Sequence, residues 1–303
     1  MAVRAWLRAS RLASQSYLAL PLLLGQLLAF AATGQWNWWV FLLVQAFGVF
    51  DQLYIVFAND VADEATDRDN ATSTMFSGGS RVLVEGVITR AALLRAAGLM
   101  ALAAAGCALL LGALFDRWEP LALAVLAIAL LWAYSFPPLR LSYRGGGEFL
   151  QMLGLGLVLP LFGWVAQAGS VDGFPWALLG VLLPLNLAAA MATSLPDLPS
   201  DARAAKRTLV VRHGIGPARR FILVLAVGAL ALYGLWGHAA IAVDAPLWPL
   251  LALPLAALAV AVLLHRRAEP GSRALAVFVF LIILAHLAWL AGVSVALWLA
   301  AET

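Results

Sequence analysis

Residues 38–69 read WWVFLLVQAFGVFDQLYIVFANDVADEATDRD. Positions 38–58 hold one charged side chain, Asp51. A helix of about 20 apolar residues crosses the hydrocarbon core of a bilayer. Asn59, Asp60, Asp63, Glu64, Asp67, Arg68 and Asp69 follow at once. The stretch therefore reads as a membrane span that leaves the bilayer through an acidic end. Asp60, Asp63 and Asp67 are spaced i, i+3, i+7, which puts them on one face if the helix continues. Like charges on one face repel, so local stability does not explain the pattern. A bound cation does, and magnesium is a hard cation that takes carboxylate and phosphate oxygens.

The whole chain agrees with this reading. Of its 303 residues 64% are hydrophobic and 12% charged, with a mean hydropathy of +0.93. A soluble domain is about half apolar and a quarter charged. A soluble enzyme, a disordered chain and a nucleic-acid module are excluded on that ground. The fold expected is an all-α polytopic membrane bundle around a central cavity. Nine spans are read: 16–33, 38–58, 91–115, 118–135, 147–168, 174–195, 217–236, 245–264 and 274–299. Arg4, Arg8 and Arg11 before the first span also suit a signal peptide, but its apolar run is longer than such peptides carry. The chain is read as one domain, 1–303, with pseudo-repeat halves near 1–140 and 141–303. The one cysteine, Cys107, lies in an apolar run and is read as a small core residue.

Charge tests the count. With the N-terminus in the cytoplasm, 18 of the 19 basic residues fall on that side and only Arg117 on the other. Basic residues gather on the cytoplasmic side, so N-in and C-out is expected. Trp36, Trp38, Trp39, Trp118, Trp176, Trp236, Trp248 and Trp298 fall near the opposite ends, where indoles sit at the interface. The expected location is the bacterial cytoplasmic membrane, with the acidic groups facing the cytoplasm.

A second acidic group follows the sixth span. Asp197 and Asp201 are interrupted by Pro199 and preceded by Pro196. We read Asp197 at a helix break and Asp201 in the first turn of a helix that Pro199 opens. Lys206, the only lysine, comes next. Both clusters follow even-numbered spans and so share one mouth of the bundle. Facing carboxylates loaded with magnesium suit a diphosphate, whose charge grows as its C–O bond breaks. An allylic diphosphate would leave a stabilised cation, which needs dry, electron-rich walls. Arg68, Arg81, Arg140 and Arg144 are further diphosphate candidates, each equally explained by membrane topology. Gly145-Gly146-Gly147 reads as a flexible opening to a span. Ser77-Gly78-Gly79-Ser80-Arg81 reads as a turn, with a phosphate contact as the alternative. Asn59, Asp51, Tyr134 and Tyr143 are candidate cavity residues. Burying Asp51 in a span is expensive, so it is read either as an acceptor-binding base or as a structural hydrogen bonder.

Asn59-Asp60-x-x-Asp63-x-x-x-Asp67 and Asp197-x-x-x-Asp201 resemble the motifs of the UbiA superfamily of intramembrane prenyltransferases. The resemblance spans essentially the whole chain. It implies a helical bundle, Mg2+, a polyprenyl diphosphate donor and an aromatic acceptor. It also implies that the five aspartates hold diphosphate through magnesium, with Arg140 and Lys206 as direct contacts. Phe76 to Leu83, Tyr143 to Glu148 and Lys206 to Leu209 are similar to the menaquinone branch, which prenylates dihydroxynaphthoate. The sequence departs from that branch at Thr193, Ser194, Leu195 and Pro196, and at Ala205, where a glycine is usual. Two other outcomes stay open: a membrane terpene cyclase using the same site, and a transporter.

Overall fold

The computed structural model describes residues 2–70, 79–241 and 247–301. Among them every regular element is helical. Helix α1 (Ala2–Ala9) precedes α2 (Ser16–Thr33), α3 (Trp38–Arg68), α4 (Arg90–Phe115) and α5 (Glu119–Ser135). After the short α6 (Leu141–Arg144), α7 (Gly147–Leu153) joins α8 (Leu159–Ala168) through one widened π turn, Gly154–Val158. Next come α9 (Leu179–Ser194), the short α10 (Leu198–Arg203) and α11 (Leu209–His213), then α12 (Ile215–Ile241), α13 (Leu247–Leu264) and α14 (Arg273–Ala301).

Eight of these segments are long and apolar enough to cross a membrane, and α5, at 17 residues, is a shorter apolar helix. They occupy the nine stretches read from the sequence. The bundle presents hydrocarbon outward: Leu102, Val224, Leu235 and Leu263 are all more than 60% exposed. Such a surface has a low free energy only against lipid.

Two differences from the sequence reading matter. The N-terminal tail is partly helical, and Trp6 of α1 meets Phe57 of α3 edge-on at 5.7 Å. Helix α3 runs ten residues past the expected end at 58, to Arg68. Its N-terminus is capped by Asn37, whose side chain accepts from the Trp39 and Val40 amides. Capping satisfies donors that hydrocarbon would leave bare.

Hydrophobicity does not drive helices together in lipid, so close backbone approach has to. Helices α2 and α8 use glycine for this. A Cβ on Gly25 would collide with Pro160 O and lie 2.9 Å from Trp164 N. A Cβ on Gly163 would collide with Leu22 O and lie 3.0 Å from Gln26 N. Beside this seam Phe47 of α3 stacks on Phe162 of α8, centroids 4.0 Å apart. Cys107 is buried in α4, as expected for a core residue.

Candidate active site

The continuation of α3 puts Asp60, Asp63 and Asp67 on one helical face. Asp60 is buried. Its carboxylate pairs with the Arg11 guanidinium and accepts from the Ser80 hydroxyl. The Ser80 amide adds a donor at 3.3 Å. Arg11 stands in the left-handed region at φ 43, at the break between α1 and the turn before α2. Gly79, at φ 68, passes so close that a Cβ there would collide with Asp67 Oδ2 and lie 3.2 Å from Asp60 Oδ1. Both carboxylates therefore converge on the same loop. Residues 71–78 lie outside the described residues, and with them Phe76, Ser77 and Gly78 of the sequence motif.

The second cluster has the expected local form. Helix α9 ends at Ser194, Asp197 stands at the N-cap of α10, and Asp201 lies in its first turn. Asn70, just beyond α3, donates to Asp197 Oδ1 at 2.6 Å. Arg203 donates to the Asp69 carbonyl at 2.7 Å. Lys206 completes the connection: its Nζ lies 3.3 Å from Asp63 Oδ1 and 3.1 Å from Asp201 Oδ1. The two acidic motifs, remote in sequence, thus share one buried lysine.

Burial disfavours the Lys206 ammonium, but Asp63 and Asp201 outweigh it and raise its pKa. Burial raises the Asp201 carboxyl, against the pull of Lys206. The lysine also lies 4.6 Å from the Tyr143 ring centroid, and the Arg140 guanidinium sits 3.5 Å from the same centroid. Tyr143 OH is bonded to Thr66 Oγ1 at 2.7 Å. Burial raises its pKa, with the nearby Asp63 adding to the effect. Arg140 also reaches the Ala62 carbonyl at 3.4 Å. Asn59 accepts from Ser135 of α5 at 3.3 Å, and Tyr134 packs on Gly147, where a Cβ would meet its ring at 2.9 Å.

Not every candidate is brought to this mouth. Arg68 is exposed and pairs with Glu64 one turn back at 3.3 Å, while Arg90 holds the same glutamate at 3.0 Å. Arg144 is exposed. Arg81 does reach the mouth, where its Nη1 donates to the Asp67 carbonyl at 3.0 Å and the Asn70 carbonyl at 3.4 Å and so ties down the end of α3. Asp51 is buried in α3, and its Oδ1 meets no donor among the described residues. Nine residues are two and a half turns, so Asp51 leaves α3 on the side opposite Asp60. Conversely, Ser80 joins the site from the stretch read as a turn or phosphate contact, and Arg11, Asn70 and Thr66 join it without having been read as members. The contacts of those three are long-range, and nothing in the local sequence marks them.

The donor set fits magnesium. All five aspartates offer hard oxygens, and Asp63 Oδ1 is buried and accepts no hydrogen bond among the described residues, with Lys206 Nζ 3.3 Å away. Among the described residues no three acidic, His or Cys side chains converge at metal-binding distance. Arg11, Ser80, Asn70 and Lys206 hold those oxygens instead.

Ala205 has an effect of its own. It stands at φ 55, a backbone region that costs an L-residue about 1–2 kcal/mol. Ala205→Gly relieves that strain immediately before Lys206. The variant is expected to melt about 2 °C higher in a thermal scan in detergent. An unchanged or lower melting point would count against strain at this position.

Comparison with known proteins agrees with the geometry. The UbiA prenyltransferase family matches residues 18–284. The 1,4-dihydroxy-2-naphthoate octaprenyltransferase of Mycobacterium tuberculosis is 31% identical over 65% of this chain and 64% of its own. The chain therefore spans just under two thirds of that relative's length. The 2-carboxy-1,4-naphthoquinone phytyltransferase of Synechocystis is 27% identical over 75% of this chain and 71% of its own. A UbiA homolog from Archaeoglobus fulgidus, solved bound to GPP and Mg2+, superposes with a TM-score of 0.67 at 17% identity, covering 96% of this chain and 99% of that one. The apo UbiA homolog from Aeropyrum pernix gives 0.65 at 18% identity, covering 92% and 97%. The solved structures agree on the helical bundle and the family match covers most of the sequence; the chain belongs to the UbiA prenyltransferase family.

Proposed function

We propose that this protein is a prenyltransferase that moves a polyprenyl group from an allylic prenyl diphosphate to an aromatic, quinone-precursor-like acceptor within the membrane. One observation carries the reading: two aspartate clusters from α3 and the α9–α10 turn meet on the single buried Lys206. The naphthoate prenyltransferases among the relatives support the acceptor class. The homolog bound to GPP and Mg2+ supports the donor and the metal.

Asp60, Asp63, Asp67, Asp197 and Asp201 would hold the magnesium. When bound, it supplies positive charge against the departing diphosphate. Lys206 and Arg140 lie beside the clusters and bind the diphosphate oxygens directly. Tyr143 orients both cations through its ring face. As the allylic C–O bond breaks, its electron pair leaves with the diphosphate and positive charge spreads over the allylic carbons. Tyr134, beside the same clusters, offers an aromatic ring to that charge. An aromatic carbon of the acceptor then bonds to the allyl group and gives up its proton to the released diphosphate or to water. The prenyl tail lies among the apolar helices. The site faces the cytoplasm under the N-in, C-out arrangement.

The test uses purified protein, a radiolabelled prenyl diphosphate and a panel of dihydroxynaphthoate, hydroxybenzoate and related acceptors. Magnesium-dependent diphosphate release with a prenylated aromatic product is expected, and EDTA should abolish it. A hydrocarbon product formed without acceptor would turn the assignment to a cyclase. Donor uptake into vesicles without diphosphate release would turn it to a transporter.

A further inference from the structure

The far end of the bundle carries a second polar site. Helix α3 rises about 1.5 Å per residue, so Asn37 and Asp60 are about 35 Å apart, a full hydrocarbon thickness. At the Asn37 end a cavity of about 240 Å³ lies between the α2–α3 turn, the end of α4 and α8. Arg117, Gln35, Trp36, Asn37, Gln167 and Phe115 line it.

Its chemistry is that of an anion site. Arg117 is the one basic residue that charge counting leaves on this face. It is half-buried and pressed against Gly169, where φ is +88 and any Cβ would collide with the guanidinium. Among the described residues it makes no ion pair, and the adjacent Asp116 is turned to Trp118 Nε1 at 3.1 Å. The Trp36 indole N–H is buried and meets no acceptor among the described residues. Asn37 and Gln167 bond reciprocally, at 3.3 and 3.1 Å, which fixes the floor. Among the described residues no carboxylate lines the cavity to receive an ammonium group.

We propose that this cavity holds the phosphodiester of a membrane phospholipid with a net negative headgroup. The depth places it at headgroup level. Trp36, Trp38 and Trp298 form an aromatic cluster there, with ring centroids 5.4–6.0 Å apart. Indoles prefer that level. The exposed Trp39, Leu42 and Leu114 offer an apolar flank for the acyl chains. The volume suits a phosphate and a few waters of about 30 Å³ each.

Thermal unfolding of the full chain in detergent tests the assignment, with phosphatidylglycerol, phosphatidylcholine or inorganic phosphate added. Phosphatidylglycerol is expected to raise the melting temperature by about 2–4 °C, and the other two by less than half of that. Arg117→Gln should abolish the difference between the lipids. Arg117→Lys, which keeps the charge without the fork, should retain a smaller difference. Equal shifts from both lipids, or an undiminished phosphatidylglycerol shift in Arg117→Gln, would overturn the site. A shift from inorganic phosphate equal to that from phosphatidylglycerol would overturn the lipid as its occupant. If Arg117→Gln does not fold, native mass spectrometry of the wild-type protein decides: adducts of phosphatidylcholine as abundant as those of phosphatidylglycerol refute the proposal.

Discussion

Asp63→Ala and Asp197→Ala are each expected to lower magnesium-dependent diphosphate release by at least about 10³-fold. The two substitutions test the two clusters separately. Asp63 projects from a rigid helix and faces Lys206 at 3.3 Å. Asp197 sits on a helix break and is oriented by Asn70 at 2.6 Å. Neither loss should unfold the bundle. Without Asp63, Lys206 still pairs with Asp201 at 3.1 Å. Without Asp197, the α10 turn keeps its Pro199 and the bond from the Asp201 amide to the backbone carbonyl at position 197. Circular dichroism should therefore match wild type while labelled diphosphate release falls to background. Full turnover in both variants would remove the aspartates from the chemistry.

Lys206→Met should have the largest effect on stability. The ammonium is 8% exposed and bridges two carboxylates that are 13% and 7% exposed. Breaking a buried ion pair from one side costs about 3–5 kcal/mol, because the remaining charge stays without a partner. A fall of about 5–10 °C in melting temperature follows, together with a loss of about 10²-fold in transfer. Magnesium should recover part of the stability, since a divalent cation can replace the missing charge between Asp63 and Asp201. It should not recover the activity if Lys206 also binds diphosphate. A variant that melts like wild type would show that the bridge contributes nothing.

The spans were legible because hydrocarbon leaves a chain few choices. Long apolar runs and one-sided arginines follow directly from the solvent, so even the short α5 was located. The aspartate clusters were legible because repulsion makes their spacing costly without a cation. The break at Asp197 was legible from its two prolines. What stayed hidden is pairing at a distance. Arg11 meets Asp60 across 49 residues, yet in sequence it is one more positive charge on a cytoplasmic tail. Arg68 and Arg81 seemed equivalent candidates beside the same motif. One turns outward to Glu64, and the other donates from Nη1 to the Asp67 and Asn70 carbonyls. Arg68 has its partner one helical turn back, a spacing the sequence shows, whereas Arg81 lies outside any helix and its two carbonyls belong to residues 14 and 11 positions away. Asp51 was legible as a costly burial, and its nine-residue spacing from Asp60 implies the opposite side once one helix runs through both.

The glycine seam between α2 and α8 bears on how a bulky substrate gets in. Where backbone rests on backbone there is no side chain to change rotamer and no slack to take up. That joint is a fixed axle, and it ties the first span to the fifth. Helix α13 stands at the other extreme: its main neighbours are α12 and α14, and only 22% of its span is buried. On the proposed activity, a long prenyl tail entering from the side would find its give at such a loosely held stave, without disturbing the axle.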